Sequence, residues 1–136
     1  MQLQLLTREI TPHTVLDALV RRPGAANGAS AKALASEILG TTAEPADERR
    51  LRQVIEQLRN DGHAVCATPE SGYHHAADAD DLNRTCVFLT RRAVSTLRQV
   101  AAMKRVAMPD LYGQLGLPDP DEQGEHDEQR NPRSAG

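Results

Sequence analysis

Apolar residues recur along the chain at helical spacing in four segments, with one short β-tolerant stretch before the last. In PHTVLDALV, Val15, Leu16, Leu19 and Val20 form a stripe behind Thr11-Pro12, a capping hydroxyl followed by proline at the first helical position. Pro23-Gly24 ends that segment. Ser30 is the next cap, and AKALASEIL places Leu34, Ala35, Ile38 and Leu39 on one face before Gly40 closes the helix. In DERRLRQVIEQLRN the stripe is Leu51, Val54, Ile55 and Leu58, with Asp47 as the expected cap and Asp61-Gly62 as the stop.

The stretch AVCAT, the turn Pro69-Glu70-Ser71-Gly72 and the returning YHHAA predict a two-stranded hairpin. A hairpin of this size is marginal alone and must lean on the helices. Asp78 or Asp80 then caps a long helix with no proline before Pro109, a reach of about 40 Å. Along it Leu82, Cys86, Leu89, Ala93, Thr96, Val100, Met103 and Ala107 are spaced alternately four and three apart, a heptad seam. Phe88, Val94 and Leu97 lie partly off the seam and predict a second packed face. DLYGQLGL after Pro109 reads as a short helical turn.

Composition changes this picture in three places. The chain has a formal net charge of -3, but the charge is uneven. From Pro118 onward six acids face only Arg130 and Arg133, and the first 117 residues carry fourteen basic and thirteen acidic groups. Residues 118–136 therefore read as an acidic disordered tail with almost nothing to bury. The body is nearly neutral, so any argument for nucleic acid rests on local clustering. Aromatic residues are only 2% of the chain, too few to stack the bases of a single strand. Cys66 and Cys86 make no disulfide framework and read as small buried hydrophobes of a reducing compartment. The first residues lack the pattern of a secretory signal and no apolar run is long enough to span a bilayer, so the expected location is cytoplasmic, away from membranes.

The local clustering is in RRLRQVIEQLRNDG, where Arg49, Arg50, Arg52 and Arg59 crowd onto one helix. On spacing alone these arginines can be a solvated face, since Glu48 and Glu56 stand one turn either side of Arg52. The order helix, helix, helix, hairpin, long helix predicts a mainly α protein with a small β-hairpin. LRQVIEQLRNDGHAVCATPESGYHHA resembles the recognition helix and wing of the biotin-repressor type of winged helix-turn-helix domain. In that type an Arg-rich helix of the form R-x-V-x-x-x-I-x-x-L-R-x-x-G runs into a strand, then P-x-x-G-Y and a second strand. The resemblance covers residues 11–78 and is strongest over 49–75. The chain is also similar to small phage-encoded winged-helix proteins that continue into one long helix. The resulting organisation is an N-terminal arm (1–10), a winged helix-turn-helix domain (11–78), a helical dimerisation extension (79–117) and the tail.

The resemblance implies sequence-specific binding of double-stranded DNA by a transcriptional regulator, with the third helix in the major groove. Arg49, Arg50 and Gln53 are then the candidates for base edges, and Arg52, Arg59, Ser30 and Lys32 for phosphates. The seam residues Leu82, Cys86, Leu89, Ala93, Thr96, Val100 and Met103 can pack on the chain's own body, but the length of the helix favours a homodimer, and with it an inverted-repeat site. Two features depart from the family pattern. The connection GTTAEPADE is longer than the usual tight turn, and the wing tip PESG offers a glutamate in place of a basic residue. The rival reading is a winged helix turned to protein binding, a phage-type inhibitor or adaptor.

No cofactor, metal or catalytic constellation is expected. His63, His74 and His75 lie near Cys66, but there is no C-x-x-C or H-x-x-x-H core, and adjacent His74 and His75 point to opposite faces of a strand. Ser71 lies in no G-x-S-x-G turn, and Asp80-Asp81 suits a helix start, so an enzyme is not expected. If the tail folds back on Arg49–Arg59, removing residues 118–136 raises DNA affinity at low salt. Unchanged affinity in that titration dismisses the fold-back.

Overall fold

In the computed structural model the described residues are 8–119. They form five α-helices and one two-stranded antiparallel sheet, in the order α1 (Pro12–Val20), α2 (Ala31–Leu39), α3 (Pro45–Asn60), β1 (Val65–Cys66), β2 (His74–His75), α4 (Ala79–Lys104) and α5 (Met108–Leu115), with a 3₁₀ turn at Ala25–Asn27. The mainly α class with a small hairpin is therefore as expected. The chain divides into two compact units, residues 1–89 and 90–136. Most of the N-terminal arm, and the tail beyond Asp119, lie outside the described residues.

The first unit is built on three helices whose stripes meet. Val15, Ala18 and Leu19 of α1, Leu34 and Ala35 of α2, and Leu51, Val54, Ile55 and Leu58 of α3 are all buried in one core, joined by Ile10, Ala29, Ala43 and Val65. The starts of α1 and α2 are capped as the sequence dictates. Thr11 and Thr14 exchange hydrogen bonds between side chain and backbone, and Ser30 Oγ accepts from the Ala33 N–H at 3.1 Å.

Helix α3 begins earlier than Asp47. Glu44 is its N-cap residue, Pro45 takes the first helical position, and the Asp47 carboxylate accepts the Glu44 N–H at 2.8 Å. The connection from α2 is thus only residues 40–44. Helix α4 also ends sooner than Pro109 requires. Arg105 turns left-handed (φ 57°), and the Arg105 and Val106 N–H groups bond back to Ala102 and Ala101, closing the helix without glycine. Cys86 corrects a further expectation. It is exposed, at the edge of a cleft that it lines with Val65 and Thr85, and both thiols are free.

The hairpin leans on the helices through a third segment. Val65 pairs with His75 and Cys66 with His74. On the other edge of β2, Tyr73 and Ala29 exchange backbone hydrogen bonds of 2.7 and 3.0 Å, while His75 bonds to Arg22 and Gly24. The chain between α1 and α2 therefore acts as an outer strand. Gly72 makes the crossing possible. Its φ is 69°, and a Cβ there would lie 2.7 Å from the Ala29 carbonyl.

In the second unit Ala101, Leu111 and Tyr112 are buried, whereas Met103, Leu115 and Leu117 are exposed. Gly113 of α5 has open space around it. Gly72→Ala is expected to cost at least about 2 kcal/mol of stability, from a strained backbone and a clash with Ala29. Gly113→Ala instead gains about 0.5–1 kcal/mol from helix propensity. Urea unfolding of both variants checks the contrast.

Candidate nucleic-acid interface

Burying Leu51, Val54, Ile55 and Leu58 dictates which side chains of α3 face outward. Arg49, Arg50, Arg52 and Gln53 are exposed, on the second and third turns. Arg52 reaches Glu48 at 3.7 Å with 57% of its side chain exposed, so this pair is weak and screened. Among the described residues neither Arg49 nor Arg50 has an ion-pair partner. Their guanidinium groups remain available to an outside acceptor. Asp47 and Glu48 suit the positive end of the helix dipole and make its first turn acidic.

The other expected contacts divide. Lys32 is exposed on the first turn of α2, and Ser30 keeps a hydroxyl proton to donate while its oxygen caps the helix. Arg59 is differently employed. It is half-buried, and its Nε donates to the Val65 carbonyl at 2.9 Å, holding the start of β1 to the end of α3. One edge of its guanidinium is therefore structural. The hairpin tip, residues 68–72, is closed by Thr68 and Ser71, whose hydroxyls bond at 3.0 Å, and it exposes Glu70.

Of the expected seam, Leu82 is 38% exposed and Met103 77%, Cys86, Ala93 and Thr96 are exposed, and Leu89 and Val100 are half-buried. Leu82, Cys86 and Leu89 line, with Arg59, Val65 and Thr85, an apolar cleft of about 260 Å³. A further basic surface was missed in the sequence. Between Asp81 and Asp110 there is no acidic residue, while Arg84, Arg91, Arg92, Arg98, Lys104 and Arg105 fall in that interval. The signal was a run without acids, hidden by the neutral total.

Also missed was a buried polar link between the hairpin and α4. His74 (1% exposed) places Nε2 at 2.9 and 3.1 Å from the two oxygens of Asp81 (3% exposed), and its Nδ1 is 3.1 Å from the Gly72 carbonyl. Asp81 belongs to the start of α4, as its sequence position suggested. Asp78 accepts the Asp81 N–H at 2.8 Å, and Asp81 in turn accepts the Ala77 N–H at 3.0 Å. Burial alone pushes the Asp81 carboxyl up. The hydrogen bonds from His74 and Ala77, with the nearby charges of His74 and Arg84, outweigh it and hold the carboxyl below its ordinary value. Burial raises the Cys66 thiol, against the opposing hydrogen bond of Thr85. Strand alternation was the available clue to His74, since it puts His74 and Cys66 on the inner face.

No protein-family model, curated protein or solved structure matches the chain. No described helix is long and apolar enough to cross a membrane.

A carboxyl held below its ordinary value stabilises the fold above about pH 4, and that contribution is lost as pH falls through its lowered folded value. Asp81→Asn is therefore expected to lose about 2 kcal/mol at pH 7 and to flatten the acid limb of stability against pH. Urea unfolding from pH 2 to 7 reads both effects.

Proposed function

We propose that the protein is a winged helix-turn-helix regulator that binds double-stranded DNA sequence-specifically as a homodimer. The observation that carries this reading is the outward face of α3. Arg49, Arg50 and Gln53 lie there without internal partners, on a helix fixed from behind by four buried apolar residues. Arginine can take guanine O6 and N7 together, and glutamine the equivalent edge of adenine. The pairing of Ala29 with Tyr73 supports the winged-helix reading, because it sets a strand from between α1 and α2 beside the hairpin that follows α3.

Phosphate contacts fall to Arg52, Lys32 and Ser30, with the free edge of Arg59. The acid-free basic run of α4 adds a field attractive to a polyanion. The exposed apolar seam from Leu82 to Met103 is the surface offered to a second copy. Two copies related by a twofold axis present two α3 helices to an inverted repeat.

A second reading, a winged helix that binds protein, is favoured by the acidic wing tip at Glu70 and the acidic first turn of α3. Salt dependence separates the two. With about four phosphates engaged per protomer, log affinity for duplex DNA falls against log salt with a slope of about -7 for the dimer. Arg49→Ala with Arg50→Ala abolishes sequence preference among duplexes selected from a random pool. Fluorescence anisotropy that finds no salt-sensitive binding, together with stoichiometric recovery of one protein partner, selects the protein-binding reading.

A further inference from the structure

We propose that Cys66, His74 and Asp81 form a three-ligand site for a borderline-soft divalent cation of the zinc type, clamping the wing to the start of α4. The Cys66 Sγ, a ring nitrogen of His74 and a carboxylate oxygen of Asp81 all lie within 4.8 Å of one another, and all three residues are buried. They come from β1, β2 and α4, so the cluster is made by the tertiary fold. Short motif spacing does not reveal it.

Each donor is already aimed. The Gly72 carbonyl at 3.1 Å is an acceptor for a proton on Nδ1, which leaves Nε2, the nitrogen that donates to Asp81 in the metal-free chain, to exchange its proton for the ion. A backbone carbonyl in that role is the usual orienting partner of a metal-bound imidazole. One oxygen of Asp81 accepts the Ala77 N–H at 3.0 Å, leaving the other to face the site. Besides its hydrogen bond with Thr85, the Cys66 thiol has long contacts to the Ala64 and Asp81 carbonyls at 3.9 and 3.8 Å. It is the member of the cluster with most to gain from a new partner.

Tetrahedral zinc needs its nitrogen and oxygen donors about 3.3 Å apart and sulfur about 3.6 Å from either. The His74–Asp81 distance of 2.9 Å is close to this, and the sulfur must draw in by about 1.2 Å at most. Charge also balances. A thiolate and a carboxylate neutralise a divalent ion, so the buried complex carries no net charge. Sulfur and imidazole donors favour zinc over magnesium or calcium, which take oxygen. The fourth position is left to a water molecule.

The test uses the full chain, treated with chelator and titrated with Co²⁺ and Zn²⁺ in reducing buffer, without DNA. One equivalent is expected to bind, with the near-ultraviolet thiolate-to-cobalt charge-transfer band, and Zn²⁺ is expected to raise the unfolding temperature. Cys86→Ser leaves both results unchanged, whereas Cys66→Ser removes the band. Cys66→Ser also weakens Zn²⁺ binding by more than about 100-fold, the upper end of what losing a supporting hydrogen bond costs. X-ray absorption on the wild-type zinc complex needs no variant to fold and should give one sulfur neighbour among nitrogen and oxygen. Absence of the band in the wild type, its loss on Cys86→Ser, or a zinc shell of nitrogen and oxygen only overturns the proposal.

Discussion

Four side chains on one side of α3, Leu51, Val54, Ile55 and Leu58, set the orientation on which the rest of the first unit depends. None is more than 2% exposed, and each is worth about 1.5–3 kcal/mol of burial. Rotating the helix by even one residue position, about 100°, would lift them from the core and bring guanidinium groups toward it. The outward position of Arg49, Arg50 and Gln53 is therefore enforced from behind. It needs no ligand to hold it.

The hairpin answers to a different constraint. Two strands of two residues each cannot stand alone. They are stabilised because β2 is an inner strand, with β1 on one edge and the segment from Arg22 to Ala29 on the other. The price in sequence is glycine at Gly28 and Gly72, where added Cβ atoms would run into the opposing backbone at 1.8 and 2.7 Å. Below the sheet, His74 and Asp81 tie the same strand to α4. Arg59 ties β1 to α3 by its bond to Val65. Hairpin, third helix and fourth helix are thus joined by polar links that the apolar pattern does not mention.

The helices were legible because their signals are local. Thr11-Pro12, Ser30, Gly40 and Gly62 each act within one turn, and the stripes repeat at a period the chain must obey. The start of α3 was misplaced because two acidic candidates, Glu44 and Asp47, compete for one cap, and Pro45 decided between them. The end of α4 was misplaced because Arg105 stops the helix in a conformation usually left to glycine. At the candidate site the exposed face of α3 could be read from its buried face. The engagement of Arg59 and the meeting of Cys66, His74 and Asp81 could not, since they depend on contacts between residues six to fifteen positions apart through the hairpin.

The inner placement of β2 has a kinetic corollary. The N–H groups of Tyr73 and His75 bond toward Ala29 and Arg22, while that of Ala76 bonds back to Ala64. Solvent reaches the first two amides only when the hairpin parts from the segment between α1 and α2, and the third only when its own two strands separate. Their hydrogen–deuterium exchange then reports the opening of each edge separately, and the tip amides of Glu70 and Ser71 are left to exchange on their own clock.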